Sequence, residues 1–140
     1  MTDETLGQAN FAFYRAYESR ALSQMDALWS QTEHVQCIHP GWLPRLGWAQ
    51  VRNGWETLFA YMPETRIMVC VMESIIKGNI GWLICQEHLT VSEGKTPVEG
   101  LVMATNLFEY QSGRWWMIHH HGSPFFSEAA VSGLHVLESS

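Results

Sequence analysis

The sequence is poor in charge. Asp, Glu, Lys and Arg make up 16% of its 140 residues, and just eight residues are basic against 14 acidic, a net charge of −6. No basic run exists, and binding to a phosphate backbone needs clustered positive charge, so nucleic acid is not an expected partner. Adsorption to an anionic membrane surface is disfavoured on the same ground, and no apolar stretch is long enough to cross a bilayer. Cysteine is scarce. Cys37, Cys70 and Cys85 are odd in number and form no C-x-x-C pair. That argues against a disulfide framework or a zinc knuckle, and predicts buried free thiols in a reducing compartment. The start, Met1-Thr2-Asp3-Glu4, has no apolar signal core. A cytoplasmic location is expected.

Aromatic residues are plentiful: seven Trp, six Phe and four Tyr. Each can bury a large area, which suits a lined pocket or an apolar interface. Helical spacing appears first. Leu6, Ala9, Phe13 and Tyr17 share one face, with Thr2 or Asp3 as the cap. Ser23 with Asp26 resembles a capping box opening a short helix to Ser30. Val35 to His39 reads as a short strand. A third helix runs from Gly47 to Tyr61 with Val51, Trp55, Leu58, Phe59 and Met62 on its apolar side, and Pro63 stops it. From Thr65 the period changes to that of strands: Arg66 to Ile76, Ile80 to Val91, Val98 to Tyr110 and Arg114 to His121, joined by turns such as Gly78-Asn79 and Ser112-Gly113.

Helices first and hairpin strands after predict an α+β domain, not a parallel α/β sheet. Residues 1–124 form that domain, and 125–140 a weakly patterned tail that packs on a rim or a partner. The strands are apolar on both alternating sets: Leu101, Met103 and Leu107 oppose Val102, Ala104 and Phe108. A sheet solvated on one side alternates cleanly. Here both faces need cover, one from the helices and one from a second copy of the chain, which predicts a homodimer through the sheet face.

The last hairpin carries a family resemblance. Ala104-Thr105-Asn106-Leu107-Phe108-Glu109 leads into Gly113-Arg114-Trp115-Trp116-Met117-Ile118-His119-His120-His121-Gly122-Ser123-Pro124. This is similar to the closing strands of SnoaL-like, nuclear-transport-factor-2-like domains and of the association domain of calcium/calmodulin-dependent protein kinase II. Ile38-His39-Pro40-Gly41-Trp42 and Gly81-Trp82-Leu83 to Glu87 resemble earlier segments of the same fold. The resemblance implies a cone-like, curved antiparallel sheet wrapped around an N-terminal set of three helices, with an internal pocket and usually a homodimer. It implies no cofactor. It also departs from the kinase association domain, which carries Arg where Asn106 and Gly122 stand. The fold hosts isomerases, hydrolases, cyclases and non-catalytic modules, so it does not select a function.

The candidate site follows from residue chemistry. On a strand, His119 and His121 share a face and His120 takes the other, and one bulge reverses the assignment. The resemblance implies that Asn106, His120 and Gly122 look inward. Histidine titrates near neutrality, and Glu87 lies mid-strand among apolar residues, where it needs a partner or a raised pKa. An ion pair with Arg66 or Arg114 is the structural alternative. His39, Glu87 and His120 are therefore candidate acid–base residues, with Tyr17, beside Tyr14, as a hydroxyl donor to an oxyanion. Trp42, Trp48, Trp55, Asn106, Phe108, His119 and His121 are candidate lining residues for a small apolar ligand. Three readings stay open: a cofactor-free acid–base enzyme acting on an apolar carbonyl compound, a non-catalytic association domain, and a metal enzyme in which His119 and His121 are joined by His39 or Glu87.

Overall fold

The computed structural model describes residues 4–125. Three helices and six strands alternate as α1 (Leu6–Ser19), α2 (Leu22–Leu28), β1 (Gln36–Ile38), β2 (Arg45–Leu46), α3 (Trp48–Tyr61), β3 (Thr65–Lys77), β4 (Ile80–Val91), β5 (Val98–Gln111) and β6 (Arg114–Pro124). The strands form one curved, unclosed sheet in the order β2-β1-β6-β5-β4-β3. The four long strands are antiparallel neighbours, while β1 joins β6 in parallel. This is the expected α+β architecture. The two-residue β2 is too short to leave a periodic signal. The predicted tail lies outside the described residues apart from Phe125, whose backbone N–H reaches the Leu101 carbonyl at 3.4 Å.

The cap of α1 is Thr5, not Thr2 or Asp3. Its hydroxyl accepts from the Gln8 N–H, and the Gln8 side chain returns a bond to the Thr5 N–H. The buried side of α1 is broader than the predicted stripe, because Asn10 and Tyr14 join Leu6, Ala9, Phe13 and Tyr17. The Ser23–Asp26 capping box does not form. Ala21 precedes α2 with no side-chain cap, and the Asp26 carboxylate instead accepts two bonds from Arg52, at 2.7 and 3.1 Å. That fork ties α2 to α3.

The helices pack on one face of the sheet, α1 and α3 directly and α2 against both of them. Phe13, Met25, Trp29, Val51, Trp55, Cys85 and Met117 are fully enclosed between them. Burying an aromatic or aliphatic side chain of this size stabilises the fold by roughly 1.5–3 kcal/mol. Gly81 in β4 lies under close packing, since a Cβ there would stand 2.8 Å from a Leu6 methyl and 3.2 Å from the Trp115 ring. The expectation of three buried thiols is corrected in part: Cys37 and Cys85 are buried, whereas Cys70 is exposed on β3.

One irregularity decides the interior. Leu107 pairs with His119 but Phe108 pairs with Met117, so Ile118 is an extra residue in β6. A bulge of this kind breaks the period of two. Trp115 and Met117 face the helices before it, and His120 and Gly122 after it. Neither alternating set of the unbroken strand therefore exists.

Candidate functional site

Five side chains from α1, β4, β5 and β6 form a buried polar chain under the helices. Tyr14 donates its hydroxyl to Glu87 Oε2 at 2.6 Å. Asn106 Nδ2 donates to Asn10 Oδ1 at 2.9 Å and to the Tyr14 oxygen at 3.1 Å. Asn106 Oδ1 lies 2.6 Å from His120 Nδ1. Asn10 closes the group by donating to Cys85 Sγ at 3.5 Å. Asn10, Tyr14, Glu87, Asn106 and His120 are each at most 3% exposed, so every bond here replaces one lost to water.

The elements explain the assembly. Asn10 and Tyr14 are one helical turn apart on α1 and so share its inner face. Cys85 and Glu87 are two apart on β4, and Asn106 stands on the neighbouring strand between Ala104 and Phe108. Asn106 and His120 are direct cross-strand partners. They meet because of the Ile118 bulge.

Burial sets the proton affinities. It raises Glu87 from the ordinary carboxylate range to about 7, opposed in part by the Tyr14 hydrogen bond. It raises Tyr14 far above a free phenol, with the Glu87 charge adding to the effect. Burial lowers His120 well below the usual imidazole range, and the neighbouring histidines His39, His119 and His121 push the same way. The proton positions then follow from the partners. The Asn106 amide nitrogen donates twice, so its oxygen is the acceptor for His120. The His120 proton sits on Nδ1, and Nε2 carries the lone pair. At neutral pH the site therefore holds a carboxyl poised between two protonation states and a neutral imidazole acceptor.

His39 lies beside this chain, with its ring 6.4 Å from His120. Its Nε2 is 3.6 Å from the Cys37 sulfur, and burial lowers its pKa to about 4, with Arg45 adding to the effect. Trp42 and Trp55 pack edge-on against it at 4.8 and 4.6 Å. Trp42 and Tyr17 also line a mostly apolar cleft of about 330 Å³ with Leu58, Tyr61, Leu89 and Val91. Tyr17 contacts Trp55 at 5.0 Å, and its phenol is raised by burial and by the Glu87 charge. The cleft thus ends on side chains that contact His39 and Trp55.

His39, Glu87, Asn106, His120, Tyr17, Trp42 and Trp55 are gathered on the inner side. Phe108 is buried there too, in the core. Trp48 is not with them: it packs near Trp29, 6.4 Å between rings, at the start of α3. His119 and His121 are on the outer face, where His119 meets Gln36 at 3.0 Å and His121 is exposed. The sheet separates them from His39 and Glu87, so the imagined metal set is not assembled. Among the described residues no group of three or more His, Cys, Asp or Glu is placed to hold a metal ion. Glu87 pairs with Tyr14 and not with Arg66 or Arg114; Arg114 stacks on Trp116 and donates to the Ala27 carbonyl. Asn10 was not legible as a site residue. Its only sequence signal is the spacing of four to Tyr14 beside an apolar stripe.

A sequence model of the SnoaL-like domain matches residues 6–127. A solved structure from Thiobacillus denitrificans, provisionally described as a calcium/calmodulin-dependent protein kinase type II association domain, is 33% identical, with a TM-score of 0.81 over 90% of this chain and 99% of that one. A structure from Streptomyces avermitilis, provisionally described as a dehydratase of the NTF2-like family, is 24% identical, with a TM-score of 0.79 over 87% of this chain and 95% of that one. That likeness shows the fold. Among curated proteins, the F-box protein SKIP8 of Arabidopsis thaliana is 29% identical over 122 residues, 87% of this chain. The chain spans about half the length of this relative.

Proposed function

The chain belongs to the SnoaL-like domain family, and from that premise we propose that it is a small-molecule-binding protein whose interior carries out cofactor-free acid–base chemistry on an apolar carbonyl compound. The observation that carries this reading is the 2.6 Å bond from Tyr14 to a buried Glu87 whose pKa lies at about 7. A general acid or base works best when its pKa lies near the working pH. Glu87 is assigned the proton transfer, and His120 Nε2 is a second acceptor. Tyr14 and Asn106 position these two. The cleft beside Tyr17 and Trp42 admits the apolar body of the ligand. Isomerisation, hydration or hydrolysis needs nothing more than such groups. A cytoplasmic location goes with this reading.

Native mass spectrometry of gently purified protein, without chelators, tests it first. A discrete organic adduct is expected, lost in Glu87→Gln or His120→Gln. The reading falls if both variants leave every detected ligand affinity and activity unchanged.

A second reading is a non-catalytic association domain. Two observations favour it. Phe13, Tyr17 and Trp55 fill much of the space under the helices, and the outer face of the sheet is apolar, with Trp82, Ile84, Leu101, Met103 and Leu107 on adjoining strands. A second copy seated on that face is part of both readings. What separates them is whether the interior exchanges a ligand.

A further inference from the structure

We propose that His39, Trp55 and His120 frame a binding site for one oxygen that both accepts and donates hydrogen bonds, either a hydroxyl group of the ligand or a held water. The proposal rests on reading the interior as a ligand-holding site and specifies what the ligand or its co-reactant carries there.

Two buried polar atoms beside the chain described above have no partner: His39 Nδ1 and Trp55 Nε1. Folded proteins pair almost all such atoms, so an orphan marks a partner that comes from outside the chain. Both orphans are donors. Indole nitrogen can only donate. For His39 the tautomer follows from Cys37, whose thiol is pushed up by burial and keeps its proton. Sulfur is a weak acceptor and imidazole nitrogen a good one, so the S–H faces Nε2 across 3.6 Å and the ring proton stays on Nδ1.

The third ring supplies the complement. His120 spends its proton on Asn106 and leaves Nε2 as an acceptor. Its ring is 6.0 Å from Trp55 and 6.4 Å from His39, while His39 and Trp55 are 4.6 Å apart. The three rings are therefore mutual neighbours. Two donors and one acceptor select the ligand class. A hydroxyl or a water satisfies all three atoms. A carbonyl oxygen leaves His120 Nε2 unmet, and an ammonium group or metal ion faces two N–H groups. Access is short, because Trp42 and Tyr17 line the apolar cleft and touch His39 and Trp55.

The test uses the full chain labelled with ¹⁵N-histidine, with long-range ¹H–¹⁵N spectra at neutral pH. Both His39 and His120 are expected neutral and protonated on Nδ1. A held water gives rotating-frame cross-relaxation between water and the His39 Nδ1 proton. A ligand hydroxyl instead shows as cyclohexanol shifting His39 Nδ1 and His120 Nε2 and binding more tightly than cyclohexanone. Trp55→Phe keeps the aromatic packing, and losing one hydrogen bond weakens cyclohexanol by about fivefold. The proposal is overturned if His39 carries its proton on Nε2, or if neither the water contact nor the alcohol-specific shifts appear. The wider reading fails by a different signal, a Glu87 carboxyl that does not titrate near neutrality in ¹³C spectra.

Discussion

At the scale of single residues, the buried titratable groups pull stability in opposite directions with pH. Glu87 has a folded pKa of about 7 against an ordinary 4.5. The folded state holds that proton more tightly, so the stability it contributes is fully present below pH ~4.5 and is lost as pH rises to about 7, on the order of 3 kcal/mol in all. His39 and His120 are the reverse. Their folded pKa values are lowered, so their contribution is present above the ordinary 6.5 and is lost as pH falls. Between pH 4.5 and 6.5 the Glu87 slope cancels part of the histidine slope. Glu87→Gln removes that cancellation. Denaturant unfolding at several pH values should show the variant losing stability with acid more steeply than the wild type over this window. An unchanged slope would mean that Glu87 ionises in the folded state as it does in water. Tyr14→Phe keeps the ring but removes the 2.6 Å bond. It should raise the Glu87 pKa further, since that bond is what lowers it, and carboxyl NMR reads the change directly.

At the scale of elements, the bulge in β6 and the close approach of α1 to β4 are the two features that place the site. Deleting Ile118 restores an unbroken strand. The pairings of Phe108 with Met117 and of Leu107 with His119 then become consecutive, so Met117 and His120 stay inward and His119 and His121 stay outward. The deletion variant should therefore keep a cooperative thermal transition in circular dichroism, because the buried pair of Asn106 and His120 is retained. Loss of that transition would show that Ile118 is not a spare residue of the strand. Gly81→Val forces branched carbons against Leu6 and Trp115. Overpacking of this sort costs about 1–3 kcal/mol. The loss should appear in a lower midpoint of chemical denaturation, with the slope unchanged.

At the scale of the whole molecule, the feature that matters is the outer face of the sheet, away from the helices. Trp82 sits opposite Leu107 there, and Leu101 opposite His88; Met68 is 71% exposed on the neighbouring strand. A chain this low in charge leaves such a surface unprotected, and a second copy is the expected cover. Size-exclusion chromatography with light scattering should give a dimer for the wild type and a monomer for Leu107→Glu. Cys70 provides an independent reporter, because its thiol is exposed on the same face of the single chain. It should react with a thiol reagent at least tenfold faster in the monomeric variant than in the wild type. Equal rates would place the contact elsewhere.

Periodicity alone determined the helices and the four long strands, because spacings of three, four and two record which side of each element is apolar. The last hairpin, from Ala104 to Pro124, was specific enough to indicate the SnoaL-like fold. Residue type alone singled out Glu87, a carboxylate in an apolar strand that must be paired or shifted. The partner was invisible: Tyr14 is 73 positions away, and only the packing of α1 across β4 brings them together. The direction of the histidine run was equally hidden. A one-residue bulge changes no composition and no pattern until two strands are aligned, yet it turns His120 inward and His119 and His121 outward. Sequence fixes the chemistry available to each strand, and the tertiary register decides which of those groups meet.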